Sequence, residues 1–379
     1  MKSAKYLLMT ALFAACACNA PQSSAVDQVV ETSSATYTLA PVAEGLEFPW
    51  GLAVLENGDM LVAERDYGHI RLIQNGELVP TPLEGVPEVY NSNQGGLFDI
   101  LLDPDFATNR TLYVSFSSGD NTANATTLIK ATLSEDATAL ENVETIFEAN
   151  FKKRGGGHFG GRIGMLPDGT LLLTLGEGFA YMDESQNPEN HLGSIVRINT
   201  DGSVPDDNPM LDTPKAAPET YSYGHRNVQG LAIDTATGTI YAHEHGPKGG
   251  DEVNIIKPGA NYGWPVITYG VNYDGTIISN ETEKAGMEQP IAVWVPSIAP
   301  SGMTLYTGDK HPEWKGDLLV SALSGMQIRR LDLENGRVEK QEIILEPSLR
   351  LRSVVTAPDG EIYVTTDELE GGVYKLIAE

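Results

Sequence analysis

The stretch RIGMLPDGTLLLTLGE, residues 162–177, contains a short apolar run, a Pro-Asp-Gly turn and a second apolar run. Short runs of this kind, bounded by turn residues, are typical of β-strands, so the stretch predicts a β-hairpin. Apolar residues occupy both faces of this hairpin, which therefore cannot bury itself alone. The fold has to cover it from two sides.

The same hairpin pattern occurs six times along the chain, and helical spacing of apolar residues is almost missing. Successive copies are 46, 65, 68, 72 and 51 residues apart, which is enough for a four-stranded sheet with its loops. Six sheets stacked around an axis cover one another, so the pattern predicts an all-β fold, a six-bladed β-propeller. The rival, a parallel β-helix, has shorter and more regular coils. The copies are aligned on Leu52, Phe98, Ile163, Leu231, Met303 and Val354.

The two ends of the repeat region predict how the ring closes. TYTLAP, residues 36–41, and GVYKLIAE, residues 372–379, each have the composition of a single strand. If both strands complete one blade, they join the beginning of the domain to its end. We therefore expect the propeller domain to span residues 37–379.

The first residues predict export. Lys2 and Lys5 precede the apolar run YLLMTALFAACAC, which is too short to span a bilayer and has the layout of a secretory signal. FAAC places small residues before Cys16, as in a bacterial lipoprotein signal, and ordinary cleavage near CNAPQ is the alternative. We expect a signal at 1–18, a flexible tether at 19–36, and a periplasmic protein with a lipid anchor at Cys16 as one outcome. Cleavage there leaves no disulfide in the propeller.

Composition and missing motifs exclude several functions. The chain carries 52 Asp and Glu against 25 Lys and Arg, a formal net charge of −27, which argues against nucleic acid and anionic lipid as partners. A Walker loop is missing, and Gly-x-Ser-x-Gly does not follow any predicted strand. In so acidic a chain, a group of arginines is conspicuous.

Unusual polar residues stand in the loops next to the repeats, where propellers bind ligands at one mouth of the channel. Arg350 and Arg352 alternate on a strand, so both guanidiniums point to one face; with Arg226 they favour a polycarboxylate ligand over exposed salt bridges. His158 in GGGHFGG suits a general base, although a structural or exposed histidine remains open. The residues expected to converge there are Gln94, His158, Arg226, Asn227, Gly246, Pro247, Arg350 and Arg352.

The segment HEHGPKGGDE, residues 243–252, suggests a metal. His243 and His245 alternate, with Asp251 and Glu252 nearby, but a third histidine or a cysteine that would complete a zinc set is missing. GPKGGDE better suits a hard cation such as calcium, held by backbone carbonyls and carboxylates. A structural turn without an ion is the alternative.

Six motifs in family order carry a resemblance over nearly the whole chain after residue 36. They are FPWGLAVLENGDMLVAER, NQGGLFDILLDPDF, GGHFGGRIGMLPDG, YGHRNVQGLAI, EHGPKGGDEVNIIKPGANYGWP and RLRSVVTAPDGEIYV. The sequence resembles the soluble quinoprotein sugar dehydrogenases, the glucose/sorbosone dehydrogenase group that includes bacterial aldose sugar dehydrogenases. The combination is far more specific than any one motif.

The resemblance implies a six-bladed propeller that holds pyrroloquinoline quinone (PQQ), which bears three carboxylates, beside a calcium ion. It implies oxidation of the C1 hydroxyl of aldose sugars to lactones, with electrons passed to an external quinone or cytochrome. A propeller that has lost the cofactor and binds a sugar or a protein partner is the alternative, and a calcium-dependent lactonase is a third hypothesis. The sequence leaves monomer and dimer open.

By motif, the resemblance also implies roles for individual residues. His158 would take the anomeric hydroxyl proton as hydride passes to the quinone C5 carbonyl, with Gln94 next to the base and the sugar. Arg226 would stabilise the charge that arrives on the quinone. The implied cofactor-binding residues are Arg226, Asn227, His245, Arg350 and Arg352, and the implied calcium ligands are the carbonyls of Gly246 and Pro247.

The chain departs from the family pattern at two positions. Ser324 stands where family members commonly have a cofactor-binding lysine, and Gly157 stands where an acidic residue commonly precedes the base. Loss of a charge-assisted pair predicts cofactor binding weaker by about 1.5–3 kcal/mol, unless Arg329 substitutes for the lysine.

Overall fold

The computed structural model describes residues 30–379, in which regular structure is almost entirely β. The predicted signal, the lipidation site at Cys16 and most of the predicted tether lie outside the described residues. Residues 30–379 contain one four-residue α-helix, α1 (Phe106–Asn109), and two 3-10 helices, Met182–Gln186 and Pro312–Trp314. Within that range no helix is long and apolar enough to cross a membrane.

Residues 30–379 contain twenty-five strands. The first half of them are β1 (Val30–Thr32), β2 (Tyr37–Leu46), β3 (Pro49–Val54), β4 (Met60–Glu64), β5 (His69–Gln74), β6 (Glu77–Leu78), β7 (Leu97–Leu102), β8 (Thr111–Gly119), β9 (Asn124–Leu133), β10 (Leu140–Glu148), β11 (Ile163–Met165), β12 (Leu171–Thr174) and β13 (Ser194–Ile198). The others are β14 (Thr220–Tyr223), β15 (Val228–Asp234), β16 (Thr239–Glu244), β17 (Asp251–Ile256), β18 (Ala292–Trp294), β19 (Pro300–Leu305), β20 (Leu318–Ala322), β21 (Ile328–Glu334), β22 (Arg337–Leu345), β23 (Leu351–Thr356), β24 (Ile362–Thr366) and β25 (Gly371–Ala378).

These strands form six sheets, antiparallel except for the added edge strand β1, and the sheets are the blades of a propeller. Blades 1 to 5 begin at β3, β7, β11, β15 and β19 and take four consecutive strands each, whereas blade 6 combines β23, β24 and β25 with β2. The first strands of successive blades contact one another, and the first strand of blade 6 contacts that of blade 1. The ring is therefore closed, and the predicted six-bladed propeller is confirmed.

Blade 6 closes the ring in the predicted way. Strand β2 pairs antiparallel with β25, in a register that runs from Tyr37 opposite Ala378 to Leu46 opposite Gly371. The beginning and the end of the domain thus share one sheet, held by backbone hydrogen bonds rather than by a covalent link.

The predicted tether is partly ordered as a strand. Val30–Thr32 pairs in parallel with β22, with Val30 opposite Gln341, at the outer edge of blade 5. Val30 and Thr32 are β-branched and suit a strand, and the edge of β22 offers unpaired backbone groups. These three residues are therefore a correction to the flexible segment predicted for residues 19–36.

A separate apolar cluster fills each of the six contacts between neighbouring blades. Strand β12 of blade 3 takes part in two of these contacts: Leu171 and Leu173 pack towards blade 2, whereas Leu172 packs towards blade 4. Successive side chains of a strand point to opposite faces, so both faces of the hairpin are covered. This is the two-sided burial that the repeat pattern requires.

The side chain of Arg162 lies at the centre of the channel and contacts all the other blades. It is buried, and its distances to its partners are short enough for hydrogen bonds and for a cation–π contact. The partners, from blades 1, 2, 4, 5 and 6, are the ring of Trp50 (3.9 Å), Asp99 Oδ1 (3.4 Å), Gln229 O (2.8 Å), Ser301 O (2.7 Å) and Ser353 Oγ (3.0 Å).

The guanidinium of Arg162 is a buried positive charge at the centre of the ring. Burial lowers the pKa of Arg162 to about 10 and Asp99 opposes that shift, so the guanidinium remains charged at neutral pH. A buried guanidinium is tolerated when carbonyls and a carboxylate satisfy its donors. The Arg162 contact therefore fixes the six blades relative to one another.

We predict that Arg162→Met destabilises the protein by about 3–5 kcal/mol, because it leaves Asp99 buried without its partner. Urea unfolding followed by tryptophan fluorescence measures the change. Arg154→Met, at an exposed arginine, is the control and should unfold as the parent does. Equal unfolding midpoints for the two variants would contradict a central role for Arg162.

Candidate active site

Most of the predicted site residues lie around one mouth of the channel. A cavity of about 280 Å³ opens there, and Gln94, Asn227, His245, Arg350 and Arg352 line it. An adjoining pocket of about 630 Å³ shares His245 and is lined by Gly246, Pro247 and Ser324 among others. Residues more than 250 positions apart in the sequence thus face a common space.

Three arginines share one carboxylate in this cavity. Asp367 accepts hydrogen bonds from Nη2 of Arg350 at 3.0 Å and from Nη2 of Arg352 at 2.8 Å. Nη1 of Arg65 lies 3.5 Å from the same carboxylate. Arg350 and Arg352 therefore point to one side, as their alternation predicts. Arg65 also pairs with Asp66, at 2.6 Å, so three positive charges face two negative charges, and the excess of one positive charge favours an anionic ligand.

Asp367 keeps these three guanidiniums in place. Burial favours the neutral form of Asp367, but the charges of Arg352 and Arg65 and the hydrogen bonds outweigh it and lower its pKa to about 2. The carboxylate is ionised at neutral pH and keeps three like charges in fixed positions. Neither Arg65 nor Asp367 was among the residues that the sequence predicts for the site.

His158 is held by the backbone and by a carboxylate. Its N–H donates to Gln94 Oε1 at 2.8 Å, and its Nδ1 lies 2.9 Å from Glu177 Oε1. A carboxylate can only accept, so the proton is on Nδ1 and the lone pair is on Nε2. The sequence analysis did not identify Glu177.

The surroundings of His158 keep it unprotonated. Burial lowers its pKa, and the charges of Arg226 and Lys153 act in the same direction, whereas Glu177 opposes them. The imidazole is therefore neutral at neutral pH, which is the state that a general base requires.

Phe179 accounts for Gly157. A Cβ on Gly157 would lie 2.9 Å from the Cβ of Phe179, so the acidic residue common at this position in the family does not fit. The Phe179 ring stands edge-on to the His158 imidazole, with centroids 5.1 Å apart. An aromatic wall therefore replaces a charge beside the candidate base.

Arg226 contacts the turn predicted to bind calcium. Its Nη1 donates to the carbonyl oxygens of His245 and Gly246, both at 3.0 Å. Asn227 Oδ1 accepts the N–H of Gly160 at 3.2 Å, and Asn227 lines the cavity. The Gly246 carbonyl has a second lone pair, so a cation would share this oxygen with Arg226.

The alternative metal set around His243 and His245 does not assemble. Asp251 accepts the N–H groups of Gly246, Ile298 and Ala299 at 2.8–3.0 Å, so it holds the turn. Residues 30–379 contain no group of three or more His, Cys, Asp and Glu side chains that could hold a metal ion. Any cation at this turn would therefore depend on backbone carbonyls.

His245 has a defined tautomer. Its Nε2 lies 2.6 Å from the carbonyl oxygen of Pro300, which only accepts, so the proton is on Nε2. Burial lowers its pKa to about 3, and nearby arginines act in the same direction. His245 is thus a neutral residue at the junction of the two pockets.

Arg329 does not replace the missing lysine. Its guanidinium is buried against Gln327 Oε1, at 3.1 Å, and Gln341 Oε1, at 2.8 Å, inside blade 5. Ser324 is exposed and lines the pocket beside Pro247. The suggestion that Arg329 takes the place of the lysine is therefore wrong, because its side chain is buried within blade 5 and does not reach the mouth.

A buried hydrogen-bonded chain near the site resembles a hydrolase triad. Nε2 of His225 lies 2.9 Å from Ser222 Oγ, and its Nδ1 lies 2.9 Å from Glu244 Oε1. Ser222 and His225 are fully buried, so the hydroxyl is closed to substrates. Glu244 also accepts the backbone N–H of Arg226, so the chain positions Arg226.

Comparisons with known proteins agree with this geometry. A profile of the Glucose / Sorbosone dehydrogenase family matches residues 46–375. The chain belongs to this family. The predicted resemblance is confirmed, and the coarse function is that of a family of sugar dehydrogenases.

Three relatives illustrate the likeness. The chain is 38% identical to aldose sugar dehydrogenase of Escherichia coli strain K12, over 90% of this chain and 93% of the relative. It is 25% identical to quinoprotein glucose dehydrogenase B of Acinetobacter calcoaceticus, over 92% and 89% of the two chains. The PQQ-bound aldose sugar dehydrogenase of Streptomyces coelicolor is 31% identical, covers 92% of this chain and all of its own, and superposes with a TM-score of 0.74.

We predict that Asp367→Asn lowers the free energy of unfolding by about 2 kcal/mol near pH 6, since a pKa of about 2 against 3.8 stabilises the ionised form. The folded pKa is the depressed one, so this contribution is present above about pH 4 and is lost as pH falls towards 2. Urea titrations of parent and variant between pH 2 and 6 measure it. For Asp206→Asn, at an exposed aspartate, the difference in stability from the parent should not change over this pH range.

Proposed function

We propose that this protein oxidises the C1 hydroxyl of aldose sugars to lactones, with PQQ and calcium bound at the mouth of the channel. The observation that carries the proposal is the three-arginine cluster around Asp367, in a cavity that is also lined by Gln94, which accepts the N–H of His158 in the His158–Glu177 pair. The arginine cluster suits a cofactor with several carboxylates, and the His158–Glu177 pair suits a base that takes a proton from a sugar hydroxyl.

The cavity fits PQQ by charge and by shape. The positive charges of Arg65, Arg350 and Arg352 exceed the negative charges of Asp66 and Asp367, so the cavity favours a ligand that carries carboxylates. Trp50, Phe98 and Phe159 contribute aromatic rings to the cavity wall, which suits a flat aromatic ligand.

Calcium fits the turn at Gly246 and Pro247 through backbone carbonyls, which are the hard oxygen ligands that this ion prefers. Asp251 fixes the turn by accepting the N–H of Gly246. When bound, PQQ supplies a quinone that accepts hydride, and calcium polarises its carbonyl. Arg226, which donates to the Gly246 carbonyl, would hold positive charge beside the same turn.

The residues of this chain would supply the proton chemistry. Nε2 of His158 would accept the proton of the sugar C1 hydroxyl, and Glu177 would stabilise the imidazolium that forms. Gln94 would orient the sugar hydroxyl from its position beside the base, and Asn227, which also lines the cavity, would hold the cofactor. Electrons would leave to an external quinone or cytochrome.

Reconstitution of the mature protein with PQQ and calcium tests the proposal. We expect a change in quinone absorbance on adding an aldose, and dye reduction with an artificial acceptor. Binding of PQQ without turnover on any aldose would contradict sugar oxidation. A failure to bind PQQ in calorimetric titration would favour the alternative, a propeller that binds sugar or a protein without a cofactor. The exposed Ser324, in place of a cofactor-binding lysine, is the reason for considering that alternative.

We further propose export to the periplasm with a lipid anchor at Cys16, on the basis of the apolar run that precedes it. Labelling of growing cells with radioactive palmitate should mark the parent and leave Cys16→Ser unmarked. Equal absence of label in both proteins would indicate ordinary signal cleavage.

We predict that His158→Ala lowers kcat by roughly 10²–10⁴-fold, because the general base is lost. The dissociation constant of PQQ should stay within about threefold, since His158 makes no contact with the arginine cluster. Steady-state kinetics and calorimetric titration measure the two quantities. Unchanged turnover would remove His158 from the reaction.

We predict the opposite pattern for Arg352→Ala. Loss of a charge-assisted pair of about 1.5–3 kcal/mol should raise the dissociation constant of PQQ roughly 10- to 100-fold. Turnover at saturating cofactor should fall much less. Arg337→Ala, at an exposed arginine of β22, is the control, and equal affinities for both variants would contradict the assignment.

A further inference from the structure

Lys153 is a buried lysine directly behind the cavity wall. Its Nζ donates to Asn124 Oδ1 at 2.9 Å and to Gly155 O at 3.2 Å, and it lies 3.4 Å from the centroid of the Phe159 ring. Only 2% of the residue is exposed. The reaction outlined above assigns no part to this ammonium.

The side chain of Lys153 touches the sequence neighbours of both His158 and Glu177. Its head rests on the ring of Phe159, which follows His158. Its stem passes Gly178, which follows Glu177, so closely that a Cβ there would lie 2.6 Å from Lys153 Cδ. The lysine therefore runs along the back of the pair.

The charge of Glu177 is only partly balanced by hydrogen bonds. Oε1 contacts His158, whereas Oε2 is buried and accepts no hydrogen bond within residues 30–379. Burial lowers the pKa of Lys153 to about 7, and the negative charge of Glu177 opposes that shift, so the two groups interact through space. The ammonium is the positive charge behind this carboxylate.

The same lysine anchors the loop that carries the base. The carbonyl oxygen of Gly155 accepts a hydrogen bond from Lys153 Nζ, at 3.2 Å, and another from Asn124 Nδ2, at 3.1 Å. Three residues later His158 has a φ of +46°, a left-handed conformation that is costly for a residue with a Cβ. Gln94 holds the end of this loop through the His158 N–H, and Lys153 holds its beginning.

The hydrogen bonds to Asn124 and Gly155 need a donor at this position, and the interaction with Glu177 needs a positive charge. Methionine has a similar length but supplies neither, whereas arginine supplies both. We propose that Lys153 is a positioning residue for the candidate base: it fixes the loop of residues 155–158 and balances the charge of the His158–Glu177 pair. Its part in turnover rests on the proposed function, whereas its effect on the His158 imidazole does not.

The groups that face His158 decide the sign of the effect. Glu177 is the anion, Arg226 and Lys153 are the cations, and His245 is a neutral imidazole. Removal of the Lys153 charge leaves Glu177 opposed mainly by Arg226, so the pKa of His158 rises. Because the base must be unprotonated, the acid limb of the kcat/KM profile moves to higher pH in the same variant.

The test compares Lys153→Met and Lys153→Arg with Lys152→Met, a matched control at the exposed neighbour that pairs with Glu148. Titration of the ¹⁵N-labelled histidines of the protein without PQQ follows His158, assigned with His158→Gln. We expect the His158 titration to move to higher pH in Lys153→Met only. In the enzyme with PQQ, kcat should fall at least tenfold in that variant, while the dissociation constant of PQQ stays within about threefold.

Identical His158 titrations in Lys153→Met and Lys152→Met would overturn the proposal, and so would an equal effect of Lys153→Arg and Lys153→Met. If Lys153→Met does not fold, the parent decides: the His158 signal should show a second, smaller step where Lys153 loses its proton, and its absence overturns the proposal. A shifted titration in a protein that oxidises no aldose would support the Lys153 role and reject the dehydrogenase.

Discussion

The guanidinium of Arg162 contacts all five other blades at the centre of the channel, and the position of every residue at the mouth depends on that arrangement. The apolar clusters between blades are non-directional and tolerate small rotations of one sheet against the next. Hydrogen bonds from one planar group to several blades do not, because their geometry is directional. The apolar contacts therefore stabilise the ring, and the hydrogen bonds of Arg162 fix the orientation of the blades relative to one another.

The residues at the mouth of the channel lie close together because of the geometry of the antiparallel hairpin. In each blade, the residues before the first strand and those after the second lie at the same end of the sheet. Arg350 precedes β23 and Asp367 follows β24, and the two meet. His158 precedes β11 and Glu177 follows β12, and they also meet. Blades 3 and 6 thus each bring a pair of partners to the site.

The sequence predicts the blades well because the hairpin pattern is a local property, repeated six times. It predicts the residues before the first strands because glycine-rich loops make them conspicuous, as at His158. It misses Arg65, Glu177 and Asp367 because single charged residues after a strand have the composition of ordinary solvated turns. They could have been found by applying the hairpin geometry to the second strand of each copy. The strand at Val30–Thr32 was missed because its partner edge, β22, is set by tertiary structure.

The pairing of β2 with β25 has a consequence for how the molecule folds. Within the described residues, β2 takes its ladder hydrogen bonds only from β25, which lies more than 300 positions away in the sequence. Blade 6 is therefore complete only when these two distant segments meet, whereas the hairpins of the other blades form from neighbouring residues. Because contacts between distant residues form slowly, we expect closure of the ring to be a late step in folding.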